Sequence, residues 1–178
     1  NDHGLTTDDD NNIILTYEPD HTSNDSHCMI RWAPDGSGGE QFGPGADLCL
    51  GTPHGLRLAH ENNKTYLYHA NNAQELHKTS LDGTLIWSVK GPPVNATSGM
   101  PFLPYKPTWF ATPPGSPYVY MADGYGSSIV HVFTALDGKY TGHTFGSRGS
   151  GDGQFETCHS INYDPRTQQI VVSDRENH

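Results

Sequence analysis

The chain has 178 residues, which suits one domain, and only 33% of them are hydrophobic. Its 20 glycines and 13 prolines favour short strands joined by turns, and no stretch shows the apolar period of a helix. The net charge of −10 argues against nucleic acid as a partner, because its phosphates would be repelled. No apolar run could span a membrane, and no signal peptide is visible. Since the first residue is Asn1 and not Met, we expect that a leader or a longer N-terminal part has been lost.

The sequence repeats a unit of about 50 residues. A first unit contains "IILTYEPD", and three further copies begin near residues 51, 105 and 156, the last of them truncated. Asn71, Asp123 and Asp174 occupy equivalent positions in these copies and are 52 and 51 residues apart. The predicted units are residues 1–50, 51–104, 105–155 and 156–178.

Each unit has the pattern of four short antiparallel strands. Residues 160–163 alternate in polarity and precede a turn, and the apolar residues 170–172 predict a strand buried on both faces. In the preceding unit, residues 128–133 and 140–145 predict two more strands around the Asp137-Gly138 hairpin turn. Four strands per unit are typical of a propeller blade.

The length of the unit predicts an incomplete propeller. The chain holds about three and a half units, whereas rings close with roughly four to eight blades, so we expect a fragment of a larger propeller. A four-stranded sandwich with chance similarity between the copies is the alternative. The proline-rich residues 91–117 predict a long loop between blades at the rim.

Two weak signals indicate the secretory pathway. Asn24, Asn63 and Asn95 each begin an N-glycosylation acceptor tripeptide in polar, turn-like surroundings. A disulfide between Cys28 and Cys49 would leave Cys158 free or paired outside this segment, and the connectivity does not follow from the sequence. We therefore expect a secreted glycoprotein.

Several short motifs are similar to those of a known family. The stretch "GSRGSGDGQFETCHSINYDPRTQQIVVSDRENH" resembles an NHL repeat. "PHGL" at 53–56, "DGYGSSIV" at 123–130, "CHS" at 158–160 and "DREN" at 174–177 resemble, in order, the active-site motifs of peptidyl-α-hydroxyglycine α-amidating lyases. The resemblance implies an all-β, six-bladed propeller of NHL type with a central zinc and a structural calcium. Such enzymes cleave peptidyl-α-hydroxyglycine into a peptide amide and glyoxylate.

The resemblance also implies roles for five residues of this chain. His54 and His159 match two of three zinc ligands, and Tyr125 matches the catalytic base. Arg175 matches an arginine near that base and the substrate, and the carbonyl of Leu56 matches a calcium ligand. The third zinc histidine would lie downstream of residue 178, and an arginine that binds substrate would precede residue 1.

Physical chemistry makes these roles plausible. His54 and His159 open strands in different units, so only ring closure could bring them together, and catalytic zinc needs about three protein ligands and an open position. A tyrosine, with an ordinary pKa of about 10, is a poor base unless a cation such as Arg175 is close. We expect Asp123 and Asp174 to close turns by accepting backbone hydrogen bonds.

Structural alternatives remain for the same residues. The two histidines could fill space or bind a chain carbonyl, Tyr125 could be an ordinary turn residue, and Arg175 could lie in a solvated loop. A Cys158–His159 nucleophile is disfavoured, because adjacent strand residues point to opposite faces. No motif surrounds the remaining histidines that we considered, which we expect at the surface: His60, His69, His77, His131 and His143.

Three functions are compatible with the sequence. The first is a secreted zinc-dependent lyase that acts on a peptide substrate and works with a fused or separate hydroxylating monooxygenase. The second is a non-catalytic extracellular NHL propeller that binds a protein partner or has a structural role. The third, a propeller hydrolase acting on lactones, would need acidic metal ligands that the sequence does not place.

Overall fold

The computed structural model describes residues 2–19, 27–43 and 51–178. Within these ranges the chain forms β-strands, turns and irregular segments, and none of the described residues is helical. Accordingly, the described part contains no helix that could cross a membrane. The prediction of an all-β chain is confirmed.

The strands form three four-stranded sheets and one two-stranded sheet. Sheet one contains β1 (Asp2–Thr7), β2 (Ile13–Tyr17), β3 (Met29–Trp32) and β4 (Glu40–Phe42). Sheet two contains β5 (Pro53–Glu61), β6 (Lys64–Asn71), β7 (Glu75–Ser80) and β8 (Leu85–Lys90). Sheet three contains β9 (Trp109–Ala111), β10 (Tyr118–Ala122), β11 (Val130–Thr134) and β12 (Tyr140–Phe145). Sheet four contains β13 (Cys158–Asp164) and β14 (Gln169–Asp174).

Every sheet is an antiparallel meander in chain order. The first strands of successive sheets are neighbours, because β1 contacts β5, β5 contacts β9, and β9 contacts β13. A radial series of sheets that meet at their first strands is the arrangement of propeller blades. The structure is therefore compatible with part of a propeller, and it brings the beginnings of three first strands to one place.

An apolar core lies between each pair of successive sheets. Between sheets one and two the buried residues are Ile14, Met29, Leu56 and Leu67. The largest core, between sheets two and three, contains Tyr68, Leu76, Trp87, Tyr105, Phe110, Val119, Met121 and Phe133. Between sheets three and four the core contains Ala111, Ala122, Val130, Cys158 and Ile161. The alternation of side chains along the strands supplies both faces of each inner sheet.

A buried polar network also joins sheets two and three. Lys78 Nζ donates to Glu61 Oε2 at 2.6 Å and to the carbonyl of Ala135 at 2.8 Å. The Tyr68 hydroxyl donates to the other oxygen of Glu61, and burial followed by this bond raises the pKa of Tyr68. Trp87 Nε1 donates to the same Ala135 carbonyl at 3.2 Å. We call these five residues the Lys78 network. Its hydrogen bonds join the two sheets around the buried ammonium group of Lys78.

One expectation about local structure is wrong, and a second is confirmed only in part. Residues 170–172 were expected in a strand buried on both faces, but β14 alternates and Val171 is 50% exposed. Among the described residues no sheet follows sheet four, so only the face of β14 towards sheet three has a neighbouring sheet. Residues 91–108 connect sheets two and three without a named strand, as expected, but the predicted loop at 91–117 also includes the strand β9 and the fully buried Tyr105. Its prolines flank β9 and do not interrupt it.

The cysteines fall into two classes. Cys28 is disulfide-bonded, whereas the predicted partner Cys49 lies outside the described residues. Cys158 is a free, buried thiol. Burial, followed by the charge of Asp123, raises the pKa of this thiol to about 12. A thiol that stays protonated at neutral pH is a poor nucleophile, which agrees with the expectation that Cys158 and His159 do not form a nucleophilic pair.

Candidate functional site

Three aromatic rings from three sheets meet where the first strands begin. The ring centroids of His54 and His159 are 5.0 Å apart, and Tyr125 lies 5.1 Å from His54 and 5.3 Å from His159. His54 belongs to β5, His159 to β13, and Tyr125 to the turn after β10. Arg175, directly after β14, donates from Nη1 to the Tyr125 hydroxyl at 3.3 Å. We call these four residues the strand-start cluster.

Two glycines allow the close approach of the strands. A Cβ on Gly55 would lie 2.2 Å from the Thr108 carbonyl oxygen, and one on Gly124 would lie 2.4 Å from the Cys158 carbonyl oxygen. Both contacts are with backbone, which cannot move aside as a side chain can. Glycine beside His54 and beside Tyr125 therefore lets sheets two, three and four converge on the cluster.

Carboxylates hold the turns around the cluster. The buried Asp123 accepts hydrogen bonds from the backbone N–H groups of Lys106 at 2.6 Å and Ser127 at 2.7 Å. Asp174 accepts from the backbone N–H of Glu156 at 2.8 Å. The expectation that these carboxylates bind backbone donors is confirmed, although the donor to Asp174 precedes β13 and does not belong to the following turn.

The tautomer of neutral His54 follows from its hydrogen bond. Nδ1 lies 2.9 Å from the carbonyl oxygen of Thr108, which can only accept, so Nδ1 carries the proton. Nε2 of the neutral ring then presents a lone pair. A histidine fixed through one nitrogen by a chain carbonyl is also a common arrangement for a metal ligand. The alternative that His54 binds a chain carbonyl and the metal-ligand prediction are thus compatible.

The Tyr125 hydroxyl lies between a cation and an imidazole. Its oxygen is 2.8 Å from His159 Nε2 and accepts from Arg175 Nη1, and the tautomer of His159 sets whether the hydroxyl or the imidazole donates in the bond between them. Arg175 Nε also donates to Glu176 Oε1 at 2.7 Å, a contact that raises the pKa of the exposed guanidinium. The cluster therefore contains a hydroxyl, an imidazole and a positive charge within hydrogen-bonding distance.

The separation of the two imidazoles suits a shared ion. Two histidines on one tetrahedral zinc, with Zn–N of about 2.0–2.1 Å, have ring centroids roughly 5 Å apart, and the observed value is 5.0 Å. No group of three metal-ligating side chains occurs among the described residues. His159 Nε2 can bind an ion only if its hydrogen bond with the Tyr125 hydroxyl is broken, because Nε2 is engaged in that bond.

The calcium and glycosylation predictions are not tested by these contacts. Leu56 is 1% exposed and lies in β5 two residues after His54. Asn63 is exposed in the turn between β5 and β6. Asn95 Oδ1 accepts backbone N–H groups of Thr97 and Ser98 at 2.9 Å, in an Asx turn. Asn24 lies outside the described residues.

Three histidines expected at the surface are buried. His69, His77 and His131 are 6%, 1% and 0% exposed, whereas His60 and His143 are exposed as expected. Burial, followed by the charge of His77, lowers the pKa of His69 to about 3. The surface expectation was wrong because these histidines occupy strand positions that face a neighbouring sheet, where a motif search has nothing to detect.

Thr108 is a site residue that sequence reasoning missed. Its carbonyl fixes His54, and its hydroxyl lies 3.0 Å from the carbonyl of Ala122 and 3.2 Å from that of Cys158. The repeat could have revealed it, since Thr108-Trp109 stands where the other units have His54-Gly55 and His159-Ser160.

Comparison with known proteins supports the fold alone. No protein-family model and no curated protein matches the chain. A solved structure of the computationally designed protein Ika8 is 10% identical, covering 99% of this chain and 43% of its own, with a TM-score of 0.57. A structural-genomics protein of unknown function from Bacteroides thetaiotaomicron is 11% identical over 98% of this chain and 38% of its own, with a TM-score of 0.58.

A third similar structure is the major Malassezia sympodialis allergen Mala s 1. It is 15% identical over 90% of this chain and 53% of its own, with a TM-score of 0.59. The chain thus spans about half or less of the length of these structures. The neighbours are all-β, propeller-like folds, and at these identities they show that this chain has part of such a fold.

Proposed function

We propose that the chain is part of a secreted, zinc-dependent lyase that cleaves the C–N bond of peptidyl-α-hydroxyglycine, giving a peptide amide and glyoxylate. The observation that carries the proposal is the convergence of His54, Tyr125, His159 and Arg175, which the resemblance to amidating lyases had singled out separately along the chain. A six-bladed NHL propeller, a structural calcium at the Leu56 carbonyl and a partnering hydroxylating monooxygenase belong to the same proposal.

The residues divide the work of the reaction. Nε2 of His54 and of His159 would hold zinc together with a third ligand, and the bound ion would supply a Lewis acid for the substrate's hydroxyl oxygen. Tyr125 takes the hydroxyl proton, and the adjacent Arg175 stabilises the negative charge that the phenolic oxygen carries as a base. As the C–N bond breaks, the hydroxyl carbon becomes the aldehyde carbon of glyoxylate, and a proton returns to the amide nitrogen.

Arg175 also contributes to substrate binding in this proposal. Its side chain is 48% exposed, and its guanidinium carbon lies 5.3 Å from the centre of the Tyr125 ring. The substrate carboxylate is an anion, so a partly exposed guanidinium next to the base can bind it bidentately. Arg175 would then both bind the substrate carboxylate and stabilise the negative charge on Tyr125.

The test is glyoxylate release from a peptide that ends in α-hydroxyglycine. We expect the intact, zinc-loaded protein to release glyoxylate and Tyr125→Phe to lose at least about a hundredfold in rate, a typical contribution of a general base. Tyr118→Phe is the matched control, because Tyr118 is 43% exposed and lies outside the cluster. Absence of release from the intact protein, or an unchanged rate in Tyr125→Phe, rejects the lyase proposal.

A non-catalytic extracellular propeller is the second candidate. This candidate is favoured by the hydrogen bond between the Tyr125 hydroxyl and His159 Nε2, because that nitrogen then has a partner within the protein and needs no metal ion. Metal analysis of the intact protein separates the two candidates. We expect about one zinc per chain for the lyase, and a protein that holds none supports the module.

A further inference from the structure

A second cavity lies at the far ends of the same first strands. Its volume is about 220 Å³, and it lies beside Arg57. The residues around it are Arg57, Leu58, Ala59 and His60 of β5, Thr112 and Pro114 after β9, and Tyr163 and Pro165 at the end of β13. We call this space the Arg57 pocket.

Another cavity, of about 320 Å³, is a different space that lies beside Glu61 and Leu136. Both oxygens of Glu61 already accept hydrogen bonds within the Lys78 network, so that cavity presents no unpaired charge. The Arg57 pocket, at about 220 Å³, is smaller and differs in this respect. At about 30 Å³ per water molecule it has room for a ligand of roughly seven water volumes.

Arg57 enters the pocket without a partner in the described part of the chain. Its Nε is buried and has no hydrogen-bond acceptor there, and no described carboxylate forms an ion pair with it. Burial lowers the pKa of this guanidinium, as expected where no anion compensates the lost hydration. A partly buried cation without a counter-ion costs folding free energy, and a bound anion would remove that cost.

The other groups around the pocket define the kind of anion. Thr112 and Tyr163 bring hydroxyl groups, whereas Leu58, Pro114 and Pro165 bring apolar surface. None of the surrounding residues is acidic, and the imidazole of His60 lies 3.2 Å from the Asp9 carboxylate. The planar fork of a guanidinium matches a carboxylate, and apolar walls suit a hydrocarbon body. A phosphate would place further charged oxygens against those walls.

We propose that the Arg57 pocket binds a small organic carboxylate, with the carboxylate on the Arg57 guanidinium and the hydrocarbon part against Leu58, Pro114 and Pro165. The pocket is separate from the strand-start cluster, since Arg57 lies three residues beyond His54, or about 10 Å along an extended strand. The proposal does not depend on the lyase function.

The test is calorimetric titration of the intact protein with butyrate and with benzoate. We expect saturable binding, and in Arg57→Gln a loss of at least about tenfold in affinity, because a hydrogen-bonded charge pair is removed. Arg57→Lys keeps the charge but loses the fork, so we expect it to bind more weakly than the wild type and more tightly than Arg57→Gln. Lys139→Gln, which removes a 79% exposed cation elsewhere, is the charge-matched control and should bind as the wild type does.

Three results would overturn the proposal. They are no saturable binding of either carboxylate by the wild type, equal affinity in Arg57→Gln, and tighter binding of inorganic phosphate than of butyrate. If Arg57→Gln does not fold, Thr112→Val replaces it, since this variant keeps the shape of the side chain and removes one hydroxyl donor. Unchanged carboxylate affinity in Thr112→Val, together with unchanged affinity in Arg57→Lys, then rejects the pocket as the binding site.

Discussion

The strand-start cluster and the Lys78 network contain similar groups in different surroundings. Each places a cation near a tyrosine hydroxyl, but the Lys78 side chain is 4% exposed and the Arg175 side chain is 48% exposed. Lys78 Nζ is bound by Glu61 and by the Ala135 carbonyl, and it also lies 4.1 Å from the centre of the Tyr66 ring. The guanidinium of Arg175, by contrast, is partly exposed to solvent.

The difference in burial separates a structural role from an accessible one. In the interior an unpaired charge costs several kcal/mol, so a buried cation must be surrounded by acceptors. Near the surface water supplies the missing contacts, and the charge can exchange water for a ligand. The network therefore holds two sheets together, while the cluster can present its charge to a substrate.

The largest expected effect comes from breaking the buried network. Lys78→Met should lower the free energy of unfolding by about 3 kcal/mol, because Glu61 loses its cation in a mostly buried site. Urea denaturation measures the change. Lys64→Met, at an exposed position in the same sheet, is the control and should change stability by less than about 0.5 kcal/mol. Equal, small changes in both variants would show that the network adds nothing to stability.

A second prediction concerns a buried imidazole in sheet two. Burial lowers the pKa of His69 from 6.5 to about 3, so the unfolded chain binds a proton there that the folded chain does not. The stability that this group contributes is present above pH 6.5 and is lost as the pH falls towards 3. Between pH 7 and pH 4 we expect it to account for about 1–3 kcal/mol of the loss.

The measurement is the free energy of unfolding at pH 7 and pH 4 in His69→Gln. This variant should lose less stability on acidification than the wild type, because glutamine does not titrate. His143→Gln, at an exposed histidine, should follow the wild type. An identical pH dependence in all three proteins would mean that His69 is not the group responsible.

The smallest effect on stability is expected at the exposed cation. Arg175→Gln should change the free energy of unfolding by less than about 0.5 kcal/mol, since its ion pair with Glu176 is largely solvated. If the lyase proposal holds, the same variant should release glyoxylate much more slowly. A large loss of stability without a loss of activity would reverse the roles assigned to the two cations.

Local features of the fold were predictable because they depend on neighbouring residues. The Asp137-Gly138 turn and the strand at 140–145 were predicted, and β12 has those bounds. The binding of backbone donors by Asp123 was also predictable, because an aspartate at the end of a strand has N–H groups of the next turn within reach. The burial of β14 was not, since it depends on whether another sheet covers each face.

The candidate site was predictable as a set of residues but not as an arrangement. His54, Tyr125, His159 and Arg175 were identified from four motifs, yet their motifs are compatible with solvent-exposed loops as well. The contact between His54 and the Thr108 carbonyl required neighbouring first strands, because a backbone oxygen leaves no mark on the sequence. The unpaired state of Arg57 likewise depends on which groups surround it, and an isolated arginine in a strand predicts nothing.

The sequence by itself determined that this protein is a repeat of short antiparallel strands, because alternation and turn chemistry are properties of adjacent residues. Only the tertiary structure decided that two imidazoles from different sheets lie 5.0 Å apart, which histidines are buried, and that Arg57 faces a pocket. Those outcomes depend on how whole sheets pack on one another. The packing of sheets depends on many contacts between residues that are distant along the chain, so it cannot be predicted from any short stretch of sequence.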